Sequence, residues 1–364
     1  MPPKIGLIIY GNLNILSGGY LYDKKLVEHL RAHRLEVQVF SQPPADYWGR
    51  FKANFDRRFC RQILDFAPDL LLQDELNHPS LFLLNRRLRR QLSAPIVSIV
   101  HHLYSSEPHR AWPRIFYRWV ERRYLLTVDG FVFNSRATRQ AVEQLAGRTP
   151  AATVAYPGKD NLTFTIDEAF IRRRCRREQP LQLVFVGNII PRKSLHALLD
   201  GLALLPPAGW QLTVVGDPQV DPAYFARIGR QVAALRLQNN VRFAGKLPAE
   251  QLVATLQNSD LLAVPSAFEG FGIVYVEALG AGLPVIAGRL GGSGEIVSHG
   301  ETGYLVSPDK NEIAGAIDNF IHNRPLLTEM SLAAWRRYAE FPTWEQSMAG
   351  VFEYFSGQYL SNKK

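Results

Sequence analysis

The sequence predicts an α/β protein with two domains, each built on a parallel sheet. The chain has 364 residues, which exceeds the size at which a single hydrophobic core stops growing. Short apolar strands alternate with amphipathic helices, a pattern typical of parallel sheets covered on both faces. The alternation stops at a polar segment, 159–180, and then starts again. We therefore divide the chain into domains 1–170 and 171–342, followed by a last helix over 343–361.

The first domain is predicted to contain six strands with helices between them. KIGLIIY, at 4–10, is apolar over nearly its whole length and predicts a fully buried strand. The other strands are expected at 35–41, 69–73, 95–101, 130–135 and 153–157. The helices are expected at 20–32, 50–66, 81–91, 110–126 and 136–145. The segment 159–180, which contains RRRCRR, is predicted to be a polar connection.

The second domain repeats the pattern. Strands are expected at 181–187, 210–216, 240–245 and 260–266, with helices starting near 193 and 222 and another at 249–257. Two successive α/β patterns of similar size predict two Rossmann-like domains that face a cleft.

Composition narrows the class of protein. The apolar share of 46% and the charged share of 21% are those of an ordinary globular chain. The two cysteines, Cys60 and Cys175, lie far apart, which favours a reducing compartment. The apolar run at the N-terminus is a first strand rather than a signal peptide, and no apolar segment approaches the ~20 residues of a membrane span. We expect a cytoplasmic protein.

The net charge of +9 is unevenly distributed. Residues 1–178 contain 28 Lys and Arg against 17 Asp and Glu, whereas residues 179–364 contain 14 against 16. The basic character therefore concerns the partner of the first half. A nucleic-acid-binding protein is one alternative, but the basic half shows no recognisable nucleic-acid motif.

The stretch at 262–288, LAVPSAFEGFGIVYVEALGAGLPVIAG, combines a strand, a tight loop, a short helix and the next strand. It contains two carboxylates, Glu269 in the loop and Glu277 in the helix. Ligands bind at the carboxyl ends of parallel strands, where helix amides favour anionic groups. Since a carboxylate cannot bind phosphate, Glu269 and Glu277 are more suited to accept hydrogen bonds from hydroxyls. This combination indicates a ligand with both phosphate and sugar.

A second motif, FVGNIIPRK, places Gly187 after a strand and Arg192 and Lys193 at the next helix start. Positive side chains with free amides can hold a diphosphate. Alone, the two basic residues would more often be simply solvated; together with Glu269 and Glu277 they favour a diphosphate clamp.

These motifs together resemble a known family. Glu-Gly-Phe-Gly-x-x-x-x-Glu, at 269–277, followed by Ala-x-x-Ala-Gly-x-Pro-Val-Ile-Ala, is similar to the donor site of family 4, the glycogen-synthase-like group 1 glycosyltransferases, which are retaining and have the GT-B fold. The resemblance covers nearly all of the second half and, more thinly, the first half. It implies that the last helix, 343–361, crosses back to the first domain.

The resemblance implies roles for residues of the second domain. Glu277 resembles the glutamate that binds the ribose of the nucleotide. Glu269 resembles the carboxylate that holds the donor sugar, together with Phe271, Gly272 and Ile273. At the clamp, Asn188 follows Gly187 where the family usually has Arg, and Arg192 is the candidate to replace it beside Lys193.

In the first domain, the resemblance concerns a glycine pair and a histidine. Gly18 and Gly19 match a loop that faces the donor phosphate, and His101, at a strand end, matches a histidine near the transferred sugar. A lone histidine at such a place is more often structural, but the doublet with His102 favours function.

The resulting hypothesis is a metal-independent, retaining glycosyltransferase, in which His101, Lys193 and Glu269 are the candidate catalytic residues. The resemblance implies a nucleotide-diphosphate sugar as donor, a lipid-linked or saccharide acceptor, and no cofactor. The chain contains no Asp-x-Asp, the motif with which the other major glycosyltransferase fold holds a metal. Two alternatives stay open beside the nucleic-acid one: a transferase with a soluble acceptor, and a sugar-nucleotide-binding protein without turnover.

A last pattern points to a membrane surface. Arginines and aromatic residues are interleaved in the predicted helix 110–126, and further arginines lie in 81–91. The set comprises Arg86, Arg87, Arg89, Arg90, Arg110, Arg114, Arg118, Arg122 and Arg123, with Trp112, Phe116, Tyr117, Trp119 and Tyr124. A solvated basic face over an aromatic core explains this pattern almost as well as a peripheral position on the inner face of the membrane.

Overall fold

The structure is a computed structural model that describes residues 2–15, 17–109, 111–147, 150–177 and 180–360, with only the backbone of Ala111. The chain forms two compact units. The first consists of Met1–Gly158 with Pro342–Lys364, and the second of Lys159–Phe341. Each unit contains one six-stranded, entirely parallel sheet, so two Rossmann-like α/β domains are confirmed.

The first unit has the strand order β2-β1-β3-β4-β5-β6. Its central strands are buried on both faces, which explains why their sequences are continuous apolar runs. The strands are β1 (Lys4–Tyr10), β2 (Glu36–Gln42), β3 (Leu70–Asp74), β4 (Ile96–Val100), β5 (Gly130–Phe133) and β6 (Ala151–Val154).

Helices cover both faces of this first sheet. They are α1 (Gly18–Ala32), α2 (Arg57–Phe66), α3 (His78–Leu81), α4 (Leu84–Leu88), α5 (Ala111–Leu125), α6 (Arg136–Ala146) and, from the end of the chain, α15 (Trp344–Phe355). The last of them starts with a capping box between Thr343 and Gln346. It packs on α1, where the Trp344 ring lies 6.0 Å from that of Tyr22.

Two helices predicted for the first domain are shorter than expected. The segment 50–66 consists of a 3₁₀ turn, Gly49–Phe55, and α2, because Asp56 is extended and caps α2 by accepting from the Phe59 amide at 2.9 Å. The segment 81–91 is broken before α4, where Asn54 accepts hydrogen bonds from the amides of Leu83 and Leu84. The start of α2 is thus set by a cap within its own segment, and the start of α4 by a side chain from outside it.

The second unit has the strand order β12-β11-β10-β7-β8-β9. Its strands are β7 (Leu181–Val186), β8 (Trp210–Val215), β9 (Val241–Gly245), β10 (Leu261–Val264), β11 (Val285–Gly288) and β12 (Gly303–Val306). Its helices are α7 (Glu168–Cys175), α8 (Leu195–Leu202), α9 (Pro222–Ala234), α10 (Ala249–Asn258), α11 (Ile273–Gly280), α12 (Ser293–Ile296), α13 (Lys310–His322) and α14 (Arg324–Tyr338).

The segment 159–180 is not merely a polar connection, because it contains α7. Arg174 is almost completely buried there and donates to the carbonyl of Ala281, 2.8 Å away, and to that of Gly282 at the end of α11. A guanidinium at a helix C-terminus satisfies carbonyls that have no partner within the helix. Lys159 and Asn161 also bond within the second unit, so this unit begins at Lys159, twelve residues before the start expected from the sequence.

Candidate functional site

In each sheet, successive strands are added first on one side of the starting strand and then on its other side. We call the position between the starting strand and the first strand on its other side the change of direction. In the first unit it lies between β1 and β3, and in the second between β7 and β10. Ligands of open α/β sheets bind at the carboxyl ends of the strands at such a position. Both groups of predicted site residues lie at these edges: Gly19 and His101 in the first unit, and Lys193 and Glu269 in the second.

In the second unit, two cations surround one carboxylate. The Lys193 Nζ lies 2.5 Å from Glu269 Oε2, and the Arg192 Nη1 lies 3.5 Å from Glu269 Oε1. All three side chains are at least four-fifths buried. The sequence proposed a phosphate clamp and a sugar-binding carboxylate as separate elements, and the structure brings them into one ion-paired group.

Local backbone geometry builds this group. Pro191–Lys193 form a 3₁₀ turn that ends at Ser194, which has a left-handed backbone (φ 55°) and lies directly before α8. Gly187 has φ 149°, where a side chain would be strained, and a Cβ there would lie 3.5 Å from Lys193 Cε. The positive φ, rather than the space beside Lys193, therefore favours a glycine after β7. Arg192 is fixed by donating to the carbonyl of Phe268 at 2.8 Å.

Glu269 is held as an anion. Burial alone would raise the pKa of this carboxyl, but the charges of Lys193 and Arg192 and hydrogen bonds from Lys193 and Ser266 lower its pKa to about 2. The Ser266 Oγ lies 3.2 Å from Glu269 Oε2. A carboxylate that stays ionised under all ordinary conditions is a permanent hydrogen-bond acceptor at this edge.

Glu277 is in a different environment. It lies in α11 with only 6% exposure, and its Oε1 accepts a hydrogen bond from Asn161 Nδ2 at 2.7 Å. Burial raises its pKa to about 7, and the Asn161 hydrogen bond only partly offsets this effect. No cation is paired with it among the residues that the structure describes. Asn161 was not among the residues predicted from the sequence, because nothing in the sequence relates positions so far apart.

The other predicted residues of this domain lie around the same edge. Phe271 is buried with its ring 6.4 Å from that of Phe341, and Gly272 has a left-handed backbone (φ 105°) directly before Ile273, the first residue of α11. A Cβ at Gly272 would collide with the Tyr275 ring. Asn188 is half-buried, and its carbonyl accepts from the Ile190 amide at 3.0 Å.

In the first unit, His101 is part of a buried pair. Its Nε2 lies 3.1 Å from Oδ1 of Asp23, which is completely buried in α1. A Cβ on Gly19 would lie 2.9 Å from the His101 ring, so the glycine permits helix α1 to start against the imidazole. Burial alone would lower the pKa of His101, but Asp23, with Asp74 and Glu75, raises it to about 9. Asp23 was not predicted from the sequence.

Further carboxyls lie around this pair. Donor atoms of Asp23, Asp74 and His101 lie within 4.8 Å of one another, as do those of Glu75, His78 and Glu121. Such groups could hold a metal ion by distance. However, His101 Nε2 and Asp23 Oδ1 already bind each other, and burial raises the pKa of Asp74, of Glu75 and of Glu121. Asp23, Asp74 and Glu121 thus each already accept a hydrogen bond within the protein, from His101, Leu76 and Ser105 respectively.

Aromatic and basic side chains share a surface of the first unit. Trp112 is 85% exposed and Trp119 49% exposed, both on α5. Trp48 stacks on Phe116, which in turn stacks on Trp119. The basic residues Arg114, Arg118, Arg122 and Arg123 are exposed on the same helix. Arg110, also predicted for this surface, lies outside the described residues.

Two family descriptions match the chain. Residues 167–337 match "Glycosyl transferases group 1", and residues 21–160 match "Glycosyltransferase Family 4". A D-inositol 3-phosphate glycosyltransferase of Rhodococcus erythropolis is 31% identical over 245 residues, which are 64% of this chain and 54% of that protein. The chain thus spans about half the length of the curated relatives it matches.

Solved structures share the fold. A sucrose-phosphate synthase from Thermosynechococcus elongatus has a TM-score of 0.85 at 22% identity, covering 99% of this chain and 100% of its own. Anabaena HepE in complex with UDP-glucose has a TM-score of 0.73 at 23% identity, covering 96% and 99%.

The fold is therefore that of the GT-B glycosyltransferases. This chain belongs to the group 1 glycosyltransferases of family 4, as the resemblance in its motifs predicted. No helix among the described residues is long and apolar enough to cross a membrane.

Proposed function

We propose that the chain transfers a sugar from a nucleotide-diphosphate sugar to a hydroxyl-bearing acceptor, with retention of the anomeric configuration. The observation that supports this proposal most strongly is the buried group of Lys193, Arg192 and Glu269 at the carboxyl edge of the second sheet. It combines cations for a diphosphate with a permanent acceptor for sugar hydroxyls. UDP-glucose, named in the HepE complex, is the first donor to test.

Each residue has a proposed role. Lys193 and Arg192 stabilise the negative charge that develops on the departing diphosphate, the part that a metal ion plays in other transferases. Glu269 accepts hydrogen bonds from the donor sugar, and Glu277 from the ribose. In a front-face reaction the acceptor oxygen bonds to the anomeric carbon while the bond from that carbon to phosphate breaks. The departing phosphate oxygen takes the acceptor proton, so no carboxylate acts as nucleophile.

A thermal-shift screen of nucleotide sugars tests the donor. A donor at ~100 times its dissociation constant stabilises a protein by about 2.7 kcal/mol. We expect nucleotide sugars that share one nucleoside diphosphate to raise the melting temperature. Lys193→Ala should abolish most of that increase. Lys246→Ala is the matched control, because this exposed lysine pairs with Asp217 at 3.3 Å. If no nucleotide sugar shifts the melting temperature, the proposed function is wrong; binding without donor turnover would leave a non-catalytic binding protein.

For the acceptor, we propose a lipid-linked or saccharide molecule that is reached at an anionic membrane surface. The support is the combination of exposed Trp112 and Trp119 with arginines on α5. Arg86, Arg89 and Arg123 also line a cavity of about 450 Å³ beside this surface. Aromatic side chains are favourable at headgroup depth, and each nearby arginine adds ~1 kcal/mol of attraction to anionic lipid.

Vesicle co-sedimentation tests the membrane proposal. We expect binding to phosphatidylglycerol vesicles but not to phosphatidylcholine vesicles, weakened by salt. Reversing the charges of Arg114, Arg118 and Arg122 should abolish it, whereas reversing three exposed arginines of α2, Arg57, Arg58 and Arg61, should not. Equal sedimentation with both vesicles would favour the alternative, a soluble acceptor, which the names of the inositol-phosphate relatives also favour.

A further inference from the structure

Arg50 lies at the carboxyl edge of the first sheet but was not among the functional residues predicted from the sequence. Its guanidinium carbon is 4.3 Å from the ring centroid of Tyr10, the last residue of β1. This is the strand that borders the change of direction between β1 and β3. A ligand of an open α/β sheet is expected at this position.

The arginine is positioned but not neutralised. Its Nε donates to the carbonyl of Ala45 at 2.9 Å, and its own carbonyl accepts from Ser80 Oγ at 3.1 Å. The Tyr10 hydroxyl also bonds Ser80, so ring and guanidinium are fixed to the same segment. No carboxylate lies within ion-pair distance of Arg50 among the described residues. A half-buried guanidinium without an anionic partner has its fork of donors available for one.

A carboxyl lies at the neighbouring strand end. Asp74 is the last residue of β3, on the other side of the change of direction, and is 2% exposed. Its Oδ1 accepts the Leu76 amide at 3.0 Å, whereas Oδ2 has no hydrogen-bond partner among the described residues. Burial and the charge of Asp23 raise the pKa of Asp74, which the nearby charges of His101 and Arg50 partly counteract. A carboxyl of this kind can accept a hydrogen bond from a hydroxyl or donate one.

We propose that the first unit binds an acceptor that carries a phosphate ester, with Arg50 bound to the phosphate and Asp74 to a hydroxyl of the same molecule. The term acceptor rests on the proposed function; the binding site does not. A soluble polyol phosphate and the headgroup of a phospholipid share this chemistry. The Tyr10 ring holds the guanidinium at the end of β1, where its donors can bind two phosphate oxygens.

Direct binding to the full chain tests this site. Calorimetry compares myo-inositol monophosphate with myo-inositol, in the native chain and in the variants Arg50→Gln, Arg50→Lys and Asp74→Asn. In Arg50→Gln, the loss of a charge-assisted contact should weaken binding of the phosphate ester by about 10- to 100-fold. Arg50→Lys should recover part of that loss in affinity, and Asp74→Asn should weaken the binding of both compounds. Arg58→Gln, an exposed arginine of α2, is the matched control and should change nothing.

Because Lys193 and Arg192 also attract phosphate, the titrations are repeated in Lys193→Ala. Nucleoside diphosphate affinity should fall in Lys193→Ala and not in Arg50→Gln. The affinity for the phosphate ester should fall in Arg50→Gln and not in Lys193→Ala. If the native chain binds the phosphate ester but no nucleotide, the proposed function is wrong and this inference is unaffected.

Phosphatidylcholine vesicles with and without phosphatidylinositol distinguish the two sources of the phosphate ester. Arg50-dependent binding of the soluble ester or of the vesicles supports the site and identifies its source. The inference is overturned if neither binds in an Arg50-dependent way, or if folded Arg50→Gln, checked by circular dichroism, keeps the native preference for the phosphate ester.

Discussion

At the carboxyl edge of the first sheet the ionisable side chains are mostly carboxyls, whereas at the same edge of the second sheet two cations surround one carboxylate. The first edge contains Asp23, Asp74 and Glu75 around His101. The second contains Lys193 and Arg192 around Glu269. Both edges lie at the change of direction of a parallel sheet, so the scaffold is the same and only the side chains differ.

This contrast runs against the net charges of the two halves. The first half is strongly basic and the second slightly acidic, yet the buried edge of the first is acidic and that of the second contains cations. The excess arginines of the first half lie in part on the exposed face of α5. Net charge therefore describes the surface of a domain, whereas the charge of its site is set by a few buried residues.

The largest expected effect is that of Lys193→Ala. Loss of a preorganised cation at a leaving group costs ~100- to 1000-fold in turnover, and breaking a buried ion pair costs about 3–5 kcal/mol of stability. Donor turnover, nucleoside monophosphate affinity and urea denaturation measure these effects. We expect monophosphate affinity to change little, since only the diphosphate needs the lysine. Equal losses for both ligands would remove Lys193 from the clamp.

The same pair has a pH signature. The folded pKa of Glu269, about 2, is below its ordinary value of 4.5, so the ion pair contributes its full stability above pH 4.5. That contribution is lost as the pH falls from 4.5 to 2. Lys193→Ala should show a smaller loss over this range, and Lys193→Ala with Glu269→Ala should be more stable than Lys193→Ala alone. If Lys193→Ala loses as much stability as the native chain between pH 4.5 and pH 2, the pairing of Lys193 with Glu269 is contradicted.

Glu277 should behave in the opposite way. Its folded pKa, about 7, is above 4.5, so its contribution to stability is present below pH 4.5 and lost as the pH rises through 7. As the pH rises from 4.5 to 8, the free energy of unfolding of Glu277→Gln should therefore increase by about 2–3 kcal/mol relative to that of the native chain. Glu277→Ala should weaken donor binding by ~1–3 kcal/mol. Unchanged donor affinity in a folded variant would place the ribose elsewhere.

In the first unit, Asp23→Asn should lower the pKa of His101. The charged groups around the imidazole are Asp23 from α1 and Asp74 and Glu75 from the end of β3 and the turn after it. Removing the nearest of them should bring the pKa of His101 below the native value of about 9. Proton NMR of the imidazole measures it directly.

Glu107→Gln is the control for this experiment, since Glu107 pairs with the neighbouring His102 at 2.9 Å. It should leave the His101 titration unchanged. A titration of His101 that is the same in native and Asp23→Asn chains would show that the pair has no electrostatic role.

The smallest effect is expected for Ser266→Ala. This change removes the 3.2 Å hydrogen bond to Glu269 but leaves both cations in place. A single hydrogen bond of this kind contributes ~1 kcal/mol. Urea denaturation should show a loss of that size, well below the loss in Lys193→Ala. Losses of similar size would mean that the serine, rather than the cations, holds the carboxylate.

The sequence by itself determined the parts of this protein that depend on neighbouring residues. The strand and helix alternation follows from local apolar patterns. The turn with Arg192 and Lys193, and the loop with Glu269 ahead of α11, could be identified because each lies within a few residues of a glycine and a strand. For the same reason the two-domain fold and the family were predicted correctly.

Only the tertiary structure decided which residues meet. His101 and Asp23 are 78 positions apart, and Asn161 and Glu277 are 116 apart. Arg50 reaches Tyr10 from a separate turn. Arg174 lies in a segment that composition alone described as a connection, and it bonds to carbonyls at the end of α11. Periodicity reports which side of an element is apolar, because that depends on local geometry. It contains no information on which distant side chain fills the space opposite, since that contact forms only when the sheet brings the strand ends together.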